Sequence, residues 1–153
     1  MTGRGRRIKG KVGEYLVRDI LRRMMYVDAV RVPLSGASEG FKGDVLFTDD
    51  REVKRTIEVK SRKASFTSLY TKYNNTTRIH DRLGLITITA LEPSLRSRLT
   101  RLVEPESYKM FHRRFETLFK LKQESDYLVV KDNNKPPLLV LFHGQLPLQD
   151  FMS

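Results

Sequence analysis

Apolar side chains recur at Val12, Leu16, Ile20 and Met24, with Val17 and Leu21 beside them and polar residues between. That three-and-four spacing predicts an amphipathic helix over 11–25 with a wide buried stripe. The next apolar run, VDAVRVPL at 27–34, is short and is stopped by Pro33, as a strand would be. SGASEGFKG, at 35–43, has three glycines and two serines and reads as a loop. DVLFT (44–48) predicts a buried strand, DDREVK a hairpin turn, and TIEVKSR the strand that returns beside it.

Farther on, Phe66, Leu69, Tyr70 and Tyr73 fall at helical spacing, so a helix is expected over 65–74. YNNTTRIHDRLG reads as loop, and the alternating LITITA (85–90) as a strand. From Ser94 a short helix would present Leu95, Leu99, Leu102 and Val103 on one face, with Arg96, Arg98 and Arg101 off it, and Pro105 would close it. Residues 107–124 carry a second stripe, Tyr108, Phe111, Phe115, Leu118 and Phe119. DYLVV, a turn at KDNNKPP, and LLVLF predict a closing hairpin, with Pro136 where a missing N–H donor is tolerated. Helix, three strands, helices and two more strands make an α/β fold: a central mixed β-sheet flanked by helices. No repeat or linker divides the chain, so 1–153 is expected to be one domain.

Charge changes the picture. Lysine and arginine number 29 against 18 acidic residues, a formal net charge of +11. A small domain so cationic is suited to a polyanion, nucleic acid first. The first eleven residues hold Arg4, Arg6, Arg7, Lys9, Lys11 and three glycines with no acid, so a mobile basic arm at about 1–9 is expected to track phosphates. The absence of cysteine excludes thiolate zinc sites, disulfides and cysteine nucleophiles, and fits a reducing, cytoplasmic setting, that of the host if the protein is viral. No apolar run approaches the ~20 residues that span a bilayer, so no membrane partner is expected. His80, His112 and His143 lack metal-ligand spacing.

The chemistry gathers around the predicted hairpin. Residues two apart on a strand share a face, so Glu58 and Lys60 project together while Ile57 and Val59 face a core. If 44–48 pairs with 55–61, the start of one strand lies beside the end of the other, and Asp44 comes near both. Glu14 would complete the cluster if the first helix packs on the hairpin. Taken alone, Glu14 has Arg18 four residues on, the spacing of an ordinary helical ion pair. Hard carboxylate oxygens suit Mg²⁺, with Mn²⁺ able to substitute, and a lysine beside them can orient water and offset charge at a phosphate.

These residues resemble the PD-(D/E)xK nuclease superfamily, and within it the archaeal and phage Holliday junction resolvases of the Hjc type. The resemblance rests on KGKVGEYLV with Glu14, RVPLSGASEGFKGDV ending at Asp44, and IEVKSRK with Glu58 and Lys60, and covers roughly the first 63 residues and the DYLVVKDNNKPPLLVL hairpin. It implies a restriction-endonuclease-like core and a Mg²⁺-dependent homodimer that cuts four-way DNA junctions symmetrically. Glu14, Asp44, Glu58 and Lys60 would be the site, with metal on the three carboxylates. A serine of the preceding loop, Ser35 or Ser38, would contribute to cleavage. Arg31, and Arg62 or Lys63, would contact phosphates. The loop from Arg31 to Asp44 is longer than is usual in the archaeal enzymes, and 74–106 has no counterpart there. Restriction-type or nicking cleavage of duplex DNA, or DNA binding without catalysis, are the other functions these residues allow.

Overall fold

The computed structural model describes residues 3–32, 43–73, 78–80, 86–92 and 113–142. Helix α1 (Gly3–Arg23) leads into the two-residue strand β1 (Val30–Arg31). Strands β2 (Val45–Thr48) and β3 (Lys54–Arg62) form the expected antiparallel hairpin. Helix α2 (Thr67–Tyr73) and strands β4 (Arg78–His80) and β5 (Ile86–Ala90) follow. Helix α3 (Arg113–Lys122) precedes the closing hairpin, β6 (Tyr127–Asp132) and β7 (Leu138–Phe142).

Among the described residues the strands make one seven-stranded sheet in the order β1-β2-β3-β6-β7-β5-β4. Its one parallel pair, β3 with β6, joins the N-terminal hairpin to the C-terminal one; the other pairs are antiparallel. This is the α/β fold with a mixed sheet that the sequence predicts, and it is consistent with a PD-(D/E)xK nuclease core. Both faces are covered. On one, Val17, Ile20 and Leu21 of α1 pack on Val45, Phe47, Ile57, Tyr127, Val129, Leu139 and Leu141. On the other, Phe66, Leu69 and Leu118 pack on Ile86, Ile88, Leu128, Val130, Val140 and Phe142. Burial on both sides explains why β6 and β7 read as continuous apolar runs rather than alternating ones.

Three expectations change. Residues 3–9, expected within a mobile arm, are the first turns of α1. The strand expected over 27–34 shrinks to Val30–Arg31, because a turn occupies 24–29: the Tyr26 amide bonds Leu21 O at 2.9 Å and the Ala29 amide bonds Tyr26 O at 3.2 Å. The loop expected at 73–84 contains β4, which alternation could not reveal because Arg-Ile-His has one apolar residue; it exists by pairing with β5. The helix expected from Ser94, and residues 107–112 of the next, lie outside the described residues.

The far end of α1 is tied to the hairpin by polar contacts. Tyr26 Oη donates to Asp50 Oδ2 at 2.8 Å, and Thr48 N donates to Asp28 Oδ1 at 3.1 Å. In the turn, Asp49 accepts from the amides of Arg51 and Val53 and from Arg55 Nε, each within 2.9 Å. Burial alone would raise the Asp49 carboxyl, but Arg55 and the two amides outweigh it and hold it low. These bonds set the position from which α1 runs back across β3.

Candidate active site

Asp44 sits where β2 parts from β3. Val45 is the last residue of β2 in register, opposite Ile57, and the Asp44 amide donates to Ile57 O at 2.8 Å. Beyond that point the chain turns away at Gly43, whose φ is +116°. A Cβ there would meet Ser125 Oγ at 2.6 Å and Ile57 O at 3.2 Å, so glycine is required twice over. The Asp44 side chain takes over the vacated ladder position: Oδ2 accepts from the Val59 amide at 2.8 Å. Its carbonyl accepts from the Val32 amide at 2.8 Å, which brings β1 alongside.

Glu58 follows Ile57 on β3. It is 8% exposed, and Lys60 Nζ lies 3.0 Å from its Oε1. Both lie on the face they share with Leu128 and Val130, their partners on β6. The alternation of a single strand thus delivers a carboxylate and an ammonium side by side. Burial pushes the Glu58 carboxyl up, the charge on Asp44 pushes it further, and Lys60 pulls it partly back.

Glu14 arrives from α1. Its Oε2 accepts a hydrogen bond from Arg31 Nε of β1. Its carboxyl is raised too: burial is the largest cause, the Arg31 bond opposes it, and both the charge of Asp44 and a hydrogen bond with Asp44 add to it. Asp44 is therefore the hub, the charge that both Glu14 and Glu58 sense.

The close approach of α1 depends on the residue before Glu14. A Cβ on Gly13 would lie 2.3 Å from Ser61 Oγ and 3.5 Å from Val59 Cγ1. Ser61 Oγ is itself buried and has no hydrogen-bond partner among the described residues. Neither Gly13 nor Ser61 stands out by chemistry. The one available signal was a glycine inside a helical stripe, which lowers helix propensity unless packing requires it.

Several other residues fall into place. The helical ion pair of Glu14 with Arg18 does not form; Arg18 instead bonds Asp19 at 2.8 Å and lies 4.7 Å over the Tyr15 ring. Arg31, expected at a phosphate, is engaged by Glu14 and lies 5.5 Å from the Tyr15 ring. Arg62 and Lys63 are at the end of β3, Lys63 and the Arg62 side chain open to solvent. Lys11 is exposed on α1; Arg4, Arg6, Arg7 and Lys9 lie on its first turns, their side chains outside the described structure. Ser35, Ser38 and their glycine-rich loop lie outside the described residues.

Among the described residues, no three acidic or histidine side chains form a ready-made metal centre. Each acid is instead engaged by a donor: Glu14 by Arg31, Glu58 by Lys60, Asp44 by the Val59 amide. The donor set nonetheless fits a hard divalent cation. All three are carboxylates, and two are raised, first by burial and then by the charge of Asp44, which such an ion would offset.

A family model described as "Phage putative PDDEXK endonuclease" matches residues 5–80, just under half of the chain and the half that holds all four of these residues. The match and the α/β fold support a PD-(D/E)xK nuclease core. Nuclease activity, a divalent metal and DNA as substrate are the general properties of that superfamily. No curated protein and no solved structure matches the chain. Among the described residues no helix is long and apolar enough to cross a membrane.

Proposed function

We propose that this chain is a Mg²⁺-dependent endonuclease that acts as a homodimer on four-way DNA junctions, cutting two strands symmetrically by phosphodiester hydrolysis. The observation that carries the reading is Asp44, held by the Val59 amide where its charge raises the carboxyls of both Glu14 and Glu58, beside the Glu58–Lys60 pair. Asp44 and Glu58 would hold the ion and Glu14 would support them, with Mn²⁺ able to substitute. The ion would supply Lewis acidity toward the scissile phosphate and a lowered pKa for attacking water.

The chain's own residues do the rest. Lys60, set by its ion pair to Glu58, orients the attacking water and offsets charge as the phosphate becomes five-coordinate. Arg31 holds the Glu14 carboxylate in place on α1. The +11 charge draws the strand in, so recognition by shape and backbone should be steeply salt-dependent. A twofold dimer matches the twofold pair of strands in a junction.

The test is cleavage of an immobile four-way junction with and without Mg²⁺, by wild type and Glu58→Gln, in competition with unlabelled linear duplex. Metal-dependent cutting that Glu58→Gln abolishes and that linear duplex competes poorly is expected. Equal competition by linear duplex would make this a duplex-nicking enzyme. Binding with no cleavage by the wild type would leave a DNA-binding protein without catalysis.

A further inference from the structure

Beyond Lys60, β3 runs through Ser61 and Arg62 and ends beside an open cleft of about 490 Å³. Its walls are the start of α2 and the β6–β7 turn, and Lys63, Thr67, Tyr70, Asp132, Asn133 and Lys135 line it. The turn is fastened to β3: the Asn133 amide donates to Arg62 O at 2.9 Å, and the Lys135 amide to Asp132 O at 3.1 Å. Tyr70 Oη donates to Pro136 O and accepts from the Asp132 amide at 3.2 Å, which pins the opposite wall.

Asp132 is the one acid in this lining, and its charge is already committed. It is 3% exposed, and its two carboxylate oxygens accept from the Phe66 amide at 2.9 and 3.1 Å. Lys63 and Lys135 are both exposed and form no ion pair among the described residues. A rigid cleft whose acid is internally satisfied and whose lysines project into solvent attracts an anion.

We propose that this cleft binds the phosphate backbone of the DNA substrate, with Lys63 and Lys135 as the contacting cations. The proposal rests on the nuclease reading and extends its substrate track. A strand rises about 3.3 Å per residue, so Lys63 stands roughly 10 Å beyond Lys60. Phosphates of one duplex strand advance about 3.4 Å along the axis per nucleotide, so the contact falls about three nucleotides from the reacting bond. Lys135 sits on the hairpin that the N-terminal family match does not reach, so the two halves of the sheet grip the same substrate.

The test is DNA binding by fluorescence anisotropy in Ca²⁺ across a series of salt concentrations. Lys63→Ala/Lys135→Ala is compared with wild type and with Arg51→Ala/Lys54→Ala, a charge-matched control at the other end of β3. Each phosphate contact on duplex contributes about 0.9 to the slope of log affinity against log salt, so the cleft variant should lose about 1.8 and the control close to none. An unchanged slope in the cleft variant overturns the proposal, as does an equal loss in the control, which would reduce the effect to net charge. If wild type binds with this lysine dependence but never cleaves with Mg²⁺, the cleft stands and the nuclease reading fails.

Discussion

Replacing Gly13 with alanine is an unusually direct probe of how α1 delivers Glu14. In an open helix interior the change would stabilise by about 0.8–1.0 kcal/mol, because glycine is the poorer helix former. Here the new methyl would sit 2.3 Å from Ser61 Oγ, far inside contact distance. Overpacking of this kind destabilises by about 1–3 kcal/mol, so the net expected for Gly13→Ala is a loss of about 0–2 kcal/mol. Ser61→Ala removes the obstacle and also a buried hydroxyl with no partner among the described residues, whose desolvation costs about 1–3 kcal/mol. That variant should therefore be neutral or slightly stabilised. In the Ser61→Ala background, Gly13→Ala should recover its helical gain, giving a coupling of about 1–3 kcal/mol in the double-mutant cycle. Urea unfolding of the four proteins measures the coupling. Junction cleavage by the same set measures whether Glu14 moves with the helix, since Gly13→Ala alone should slow the reaction and the double variant should restore it. Gly13→Ala that stabilises equally in both backgrounds would refute the reasoning, because the helix would then not be resting on Ser61.

Three further outcomes follow from the same contacts. Gly43→Ala forces an L-residue to a φ of +116° with its methyl 3.2 Å from Ile57 O, and should cost about 1–3 kcal/mol in urea unfolding together with most of the activity, since Asp44 is next in the chain. Asp49→Asn removes the nearer of two carboxylates beside Arg55, whose side chain is 8% exposed, leaving Asp126 at 3.5 Å, and should cost about 1–3 kcal/mol in the same assay. The metal-free protein should also lose stability as pH rises above 4.5, the ordinary glutamate value, because Glu14 and Glu58 are raised and the folded chain holds the extra protons in that window. Urea midpoints across that range should show the decline, and Glu58→Gln should flatten it.

The parts of this architecture that were legible in the sequence are those written in local periodicity. The stripe on α1, the apolar β2, the alternation that sets Glu58 and Lys60 on one face, and the apolar runs of β6 and β7 each carry their own signal. Pairing of β2 with β3 follows from the short turn between them, so the nearness of Asp44 to Glu58 is already implied by the order of residues along the chain. What could not be read depends on distant partners. Arg31 bonds Glu14 across a helix and a strand, where helical spacing had suggested Arg18. The parallel pairing of β3 with β6, which builds the cleft beside Lys63, joins segments about half a chain apart. The start of α1 was hidden by glycines and arginines that carry no apolar stripe, and β4 by a sequence that becomes a strand through β5 alone.

The central claim is that Glu14, Asp44 and Glu58 act as one divalent-cation site, with Asp44 at its hub. Mn²⁺ uptake followed by electron paramagnetic resonance, in the presence of junction DNA, tests it without relying on turnover. Wild type should bind Mn²⁺ saturably, and Asp44→Asn should bind none while becoming more stable than wild type in metal-free buffer, because the like-charge crowding is gone. Equal uptake by Asp44→Asn, or no uptake by wild type, would contradict the account.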